Sequence, residues 1–335
     1  MQYYLNHNQK ENCPRRSRLS KSQKMNNKKN KQSKYKNICC PECNCNNIKK
    51  DGKRKTDNRG LIQRYFCKDC SYRFVEDNGF FRMRNHPKKI SLCLDLFYRG
   101  VSTRKVQEHL QSFYPHNCTN KTIYKWIIKY SKMISVYTDN LKLQVGKELQ
   151  VDEVEYHRRI SHKKGSKGVS KNWFIDSIDC KTRFMVASEY VGSRGSKEIK
   201  QILKVAKRKT GKQTMIVTTD GFMAYPEVIK SVYGYNFKER KTKVFHNKVN
   251  ASRGEGFNIM IERLHNNLRQ RTKTFRGFHG SIEGANLILK GYSIFYNFIT
   301  KHQSLKCCPY QLAIPNLKLK SNNKWIELIE LSNKN

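Results

Sequence analysis

The sequence predicts a mixed α/β domain behind two small front modules, one built on cysteines and one helical. Three observations carry this. From about residue 147, short β-branched or aromatic runs alternate with stretches of helical periodicity; two CxxC pairs lie close together near the N-terminus; and three helical stretches fill the interval between. A length of 335 residues holds one ordinary domain and such modules.

The charge narrows the function class. Sixty-eight Lys and Arg against 26 Asp and Glu give a net charge of +42. A field of that size repels itself unless a polyanion neutralises it, so nucleic acid is the expected partner. A basic tail on an ordinary protein does not account for it, because basic residues run through the whole chain. Hydrophobic residues make up 37%, which suggests a real core diluted by polar segments. A membrane partner is not expected. No amphipathic basic helix with a broad apolar face is visible, no run approaches the roughly 18–20 apolar residues of a spanning helix, and no signal peptide is visible.

Residues 1–38 carry eleven Lys and Arg and a single Glu without helix or strand period, and read as a disordered basic arm. A cysteine module follows at 39–80. Cys40-Pro-Glu-Cys43 and Cys67-Lys-Asp-Cys70 are two knuckles separated by 23 residues. The i,i+3 spacing lets both thiolates of a knuckle reach one ion, and four sulfurs at about 2.3 Å close a tetrahedron, so a structural Zn²⁺ is expected. Cys39 or Cys45 could stand in for Cys40 or Cys43. The remaining cysteines, Cys93, Cys118, Cys180 and Cys307 among them, read as small buried hydrophobes.

The segment 86–140 holds helical stretches at Pro87–Arg99, Ser102–Gln111 and Thr119–Lys132, with Ser102 and Thr119 where N-caps belong. In the third, Ile123, Trp126, Ile127 and Tyr130 share one face, while Asn120, Lys121, Lys125 and Lys129 lie toward the other. That is the layout of a helix-turn-helix whose third stretch reads DNA, with a generic basic three-helix bundle as the alternative.

In the α/β region, strands are expected at 147–157, 172–179, 182–191 and 214–219, and helices at Ser196–Lys209, Gly254–Arg271 and Ile282–His302. Residues 316–335 read as a loose tail with one short helix. Metal-assisted phosphoryl transfer needs carboxylates brought from separate elements to one point. Asp152 lies on the first strand, and Asp220 ends the fourth in Thr219-Asp220-Gly221, aimed by a glycine turn. Glu262 lies on a polar helical stripe with Asn258, His265 and Arg269, opposite Phe257, Ile261, Leu264 and Leu268. Strand alternation sends Asp152 and Glu153 to opposite faces, so at most one of them should serve the site. Glu155, Asp176 and Asp179 read as salt-bridge partners for the surplus of Lys and Arg. A tyrosine or serine recombinase would need an activated nucleophile among clustered Arg residues, and none is evident.

Residues 147–315 resemble the catalytic domain of DDE transposases of prokaryotic insertion sequences, the insertion-sequence-six type in particular. Val151-Asp152-Glu153, Thr219-Asp220-Gly221 followed by Tyr225, and Asn258-Ile-Met-Ile-Glu262-Arg-Leu-His265 are similar to its three acidic motifs, in order. Arg269-Gln-Arg271-Thr-Lys273-Thr-Phe-Arg276 resembles the basic run after its Glu, and Tyr296–His302 with Pro309–Ala313 its closing motif. The resemblance implies a ribonuclease-H-like fold in which Asp152 and Asp220 hold two Mg²⁺ or Mn²⁺ ions and Glu262 completes one shell, with Glu255 as the alternative third acid. It implies cleavage at an element's end and attack of the freed 3′-hydroxyl on a target phosphodiester, with no covalent enzyme intermediate. His265, Arg269, Arg271, Lys273 and Arg276 would contact phosphates, which positions DNA without reading its sequence. Expected partners are element ends, target duplex and further copies of the chain as a homodimer or larger oligomer; the expected location is the prokaryotic cytoplasm, at the nucleoid.

Overall fold

A computed structural model describes residues 38–56, 60–114, 118–161, 167–249, 258–273 and 278–334. The expected basic arm (but for Ile38), Glu255 and Arg276 lie outside the described residues. The chain divides into two compact units. The first holds the described residues up to Gly52 together with Arg64–Phe74; the second holds Lys53–Gln63 and Val75–Asn335.

Strands β1 (Ile48–Thr56), β2 (Gly60–Cys67) and β3 (Arg73–Val75) form a three-stranded sheet in sequence order. In the first unit the small core is Cys40, Ile48, Tyr65, Cys67 and Phe74. Five side chains are too few to fold a module by themselves, so its stability must come from elsewhere. Each knuckle closes the same way: Asn44 follows Cys43 and Ser71 follows Cys70, both in the left-handed region at φ 57° and 61°.

The first helices of the second unit are α1 (Pro87–Tyr98), α2 (Thr103–Phe113) and α3 (Asn120–Asp139). Ser102 and Thr119 are the N-caps the sequence predicted, accepting from the N–H groups of Lys105 and Thr122, each at 3.3 Å. Helix α3 runs a full two turns past its expected end, because Ile134, Ser135 and Thr138 continue the buried face.

A six-stranded sheet follows: β4 (Glu148–Ser161), β5 (Lys167–Asp179), β6 (Met185–Val191), β7 (Ile216–Thr219), β10 (Phe245–Lys248) and β11 (Phe278–His279). Its order is β10-β7-β4-β5-β6, with β11 beside β4. Strands β4, β5 and β6 run antiparallel; β7 runs parallel to β4, and β10 parallel to β7. The intervening helices are α4 (Ser196–Thr210) and α5 (Tyr225–Tyr233), and β8 (Tyr235–Asn236) pairs with β9 (Lys241–Thr242). Then come α6 (Ile259–Thr272), α7 (Ile282–Ile294) with a π-helical turn at Phe295–Ile299, α8 (Pro309–Ala313) and α9 (Lys324–Lys334).

One feature of the sheet positions the site. Strand β4 pairs with β5 along its whole length, but its other edge is covered only in pieces. Strand β7 covers Glu148–Gln150, and β11 covers Arg158 and Arg159. Between them no strand of the described residues pairs with this edge of β4, and Asp152 and Glu153 lie in that interval.

Helices α1–α3 share the core of the sheet domain. Helices α3 and α7 approach so closely at Gly291 that a Cβ there would collide with Tyr98 and Ser131, whose hydroxyls bond each other at 2.8 Å. The expected loose tail is a correction. Trp325, Leu328 and Ile329 are spaced as one helix face and are buried, Trp325 stacks on Tyr98, and its Nε1 donates to Asp95 at 3.3 Å. A 3.6-residue apolar period docks a helix wherever in the chain it falls.

Candidate active site and metal centres

Two groups of side chains among the described residues could hold a metal ion. In the first, one sulfur from each of Cys40, Cys43, Cys67 and Cys70 lies within 4.8 Å of the others. This is the set the two knuckles predicted. Cys39 is exposed and donates to Asn46 Oδ1 at 2.8 Å, away from the group. Cys45 stays alongside, its Sγ 3.1 Å from that of Cys67.

The second group joins Asp152, Glu153 and Asp220, with one carboxylate oxygen of each within 4.8 Å of the others. Asp152 is on β4, and Asp220 follows the last residue of β7, its parallel neighbour. Both carboxylates are steered by backbone amides: Asp152 Oδ1 accepts from Glu153 N–H at 2.8 Å, and Asp220 Oδ1 from Phe222 N–H at 2.9 Å. Glu153 corrects the sequence reading. Neighbouring positions on a strand alternate in face, yet a Glu153 carboxylate oxygen lies in the same group as those of Asp152 and Asp220. Tyr225, fully buried on α5, holds Glu153 Oε1 at 2.7 Å.

Behind Asp152 stands a second acid. Asp152 and Asp176 are directly opposed on β4 and β5, and like charges so placed repel. His265 relieves this, with Nε2 2.9 Å from Asp176 Oδ1 and Nδ1 3.5 Å from Asp152 Oδ2. Two sequence readings change here. His265 is buried and not exposed to meet a phosphate, and Asp176 is fully buried and pairs with His265, not with Lys or Arg among the described residues. The i,i+3,i+4 spacing placed His265 equally near the apolar stripe, and only the facing sheet decides.

Glu262 lies in the first turn of α6, exposed, and outside the close group. Its helix is nevertheless docked at Asp152's strand. Gln150 Oε1 accepts from the N–H groups of Met260 and Ile261 at 3.0 and 3.2 Å, filling donors that a helix start leaves open, and Asn258 Nδ2 donates to Val151 O at 3.5 Å.

Burial and crowding raise two of the carboxyls. Asp152 is pushed up to about 6 by burial, with Asp220 and Asp176 adding to it and His265 opposing. Glu153 is pushed up to about 7 by burial and by Asp152 and Asp220, with Tyr225 and Arg194 opposing. In a chain with 68 Lys and Arg, Asp152 has only His265 as an ion-pair partner among the described residues, and Glu153, Asp220 and Glu262 have none. A carboxylate cluster without a Lys or Arg partner among the described residues, in so basic a chain, fits hard divalent cations, which take oxygen ligands.

Of the basic residues predicted to meet DNA, Lys121, Lys125 and Lys129 are exposed on α3. Arg269 and Lys273 line a cavity of about 790 Å³ with Tyr156, Arg159 and Phe278. Arg271 instead donates to the carbonyl of Arg99, tying α6 to the turn before α2. Among the described residues no helix is long and apolar enough to cross a membrane. No protein-family model matches the sequence, and no curated protein matches it.

Proposed function

We propose that the chain is a DNA transposase, with a ribonuclease-H-like catalytic domain and a zinc-stapled DNA-binding front end. The observation that carries the reading is the pair Asp152 and Asp220, brought together where β7 ends beside β4, its parallel neighbour, with no Lys or Arg paired to either among the described residues. The sheet order β10-β7-β4-β5-β6, with an antiparallel trio, two parallel additions and helix α6 after them, supports the ribonuclease-H-like part of this reading. The motif order noted above and the charge of +42 favour DNA as substrate.

In this reading Asp152 and Asp220 hold two Mg²⁺ or Mn²⁺ ions, and Glu262 completes one shell from the docked end of α6. Such ions polarise a phosphodiester and offset charge on attacking and leaving oxygens. The protein's own part is placement. The Glu153 and Phe222 amides fix the two aspartates, the Tyr225 hydroxyl holds Glu153 beside them, and His265 keeps Asp152 turned to the edge. Lys121, Lys125, Lys129, Arg269 and Lys273 anchor DNA phosphates. Cys40, Cys43, Cys67 and Cys70 hold Zn²⁺, which staples the front module.

The test is cleavage of supercoiled plasmid and joining of a 3′-hydroxyl oligonucleotide by the full chain in Mg²⁺. Asp152→Asn, Asp220→Asn and Glu262→Gln should each lower both activities at least about 1000-fold with DNA binding retained, since each removes charge and little bulk. Glu153→Gln should lose far less. Full activity in Asp152→Asn would end the reading; cleavage without joining would make the chain a nuclease.

A further inference from the structure

We propose that Arg194, gripped between Trp173 and Phe222 beside the carboxylates, binds the DNA phosphate on which they act. The proposal rests on the catalytic reading above and adds to it a substrate contact that no motif suggested.

The geometry is specific. Arg194 lies half-buried in the loop between β6 and α4, with its Cζ 4.4 Å from the Trp173 ring centroid and 4.5 Å from that of Phe222. Phe222 belongs to the site, because its N–H is the one bonded to Asp220 Oδ1. Trp173 lies on β5 opposite Glu155, two residues along β4 from Glu153, and the Arg194 charge is felt at Glu153 itself.

Stacking uses the faces of a guanidinium and leaves its in-plane N–H donors free. Among the described residues no hydrogen bond or ion pair takes up those donors, although an acidic cluster stands close by. A cation simply neutralising the acids would be found in contact with a carboxylate, as Arg99 is with Asp95 at 2.6 Å. Arg194 is instead fixed in advance, so little side-chain freedom is lost when a ligand arrives. Planar, forked donors beside a carboxylate site that works on phosphodiesters match a phosphate, and such a contact strengthens as negative charge builds on the transferring group.

The test uses the full chain with Mn²⁺, reading plasmid nicking at saturating DNA, Mn²⁺ affinity by electron paramagnetic resonance, and thermal melting. Arg194→Gln should slow nicking on the order of 100-fold with Mn²⁺ affinity and melting unchanged. Arg194→Lys, which keeps the charge but not the fork, should fall between. Wild-type nicking by Arg194→Gln overturns the proposal, as does a loss that tracks weakened Mn²⁺ binding, since Arg194 would then act through the acids. Should Arg194→Gln unfold, Arg194→Lys decides: an unchanged rate overturns the proposal, and about a tenfold loss at unchanged Mn²⁺ affinity supports it. A wild-type chain that does not nick DNA defeats the catalytic reading itself, a result distinct from either.

Discussion

The cysteine group and the carboxylate group are both candidate metal centres, yet the chain builds them in opposite ways. The cysteines come from two knuckles 23 residues apart, each a local turn closed by one left-handed residue. The carboxylates come from β4 and from the end of β7, 67 residues apart between Asp152 and Asp220, and meet only because the sheet makes those strands neighbours. Sulfur suits a borderline-soft ion that stays, and oxygen suits hard ions that exchange. Under the proposed function the cysteine module depends on a bound metal to fold, whereas the carboxylate site is folded first and crowded until an ion arrives.

The largest effect should come from breaking the sulfur side of this contrast. Cys67→Ser should unfold the first unit, at a cost on the order of 10 kcal/mol of metal-linked stability. The second unit should keep its cooperative melt. Loss of amide protection confined to 38–52 and 64–74 in hydrogen exchange would agree; loss throughout would mean the second unit does not stand alone.

Gly291→Ala probes the frame behind the acids. A methyl group at the α3–α7 crossing meets Tyr98 and Ser131 and should cost about 1–3 kcal/mol of the second unit's stability, read by denaturant unfolding. Zinc content should not change. An unaltered midpoint would show that the two helices part easily.

The smallest effect concerns the carboxylates themselves. In the folded protein Asp152 titrates near 6 and Glu153 near 7, above their ordinary values of 3.8 and 4.5. A raised carboxyl keeps its proton in the native state after the unfolded chain has released it. The stability it contributes is full below about pH 4 and is lost as pH rises through about 7. Metal-free Asp152→Asn should therefore gain more melting temperature over wild type at pH 8 than at pH 5, and little at pH 3.5, by about 2–4 °C for each kcal/mol of buried charge and repulsion relieved. Mg²⁺ should raise wild type and leave the variant nearly unmoved. An equal difference at pH 3.5 and pH 8 would mean that neither burial nor the neighbouring acids raise Asp152.

The same contrast explains what could be read from the sequence. The knuckles, the N-caps Ser102 and Thr119, the buried face of α3, and Asp152 and Asp220 were legible because each is written within a few residues. Glu153 was not, since strand alternation alone puts it on the other face from Asp152, and only the folded side chains bring their oxygens together. Nor was the bridge from Asp152 through His265 to Asp176, which needs the register of β4 on β5 and the helix lying over it. Strand β10 and the packing of α9 were missed for a related reason. Phe245–Lys248 has no apolar alternation and is a strand through its pairing with β7, and α9 is short, with its core on distant helices.

The most direct measurement of the account is strand joining by the full chain after mild EDTA treatment, with zinc content followed in the same sample. About one zinc per chain should survive the treatment while joining of a 3′-hydroxyl DNA end to plasmid disappears, and Mg²⁺ alone should restore it. Joining that persists in EDTA, returns only with added zinc, or never occurs with Mg²⁺ or Mn²⁺ would contradict it.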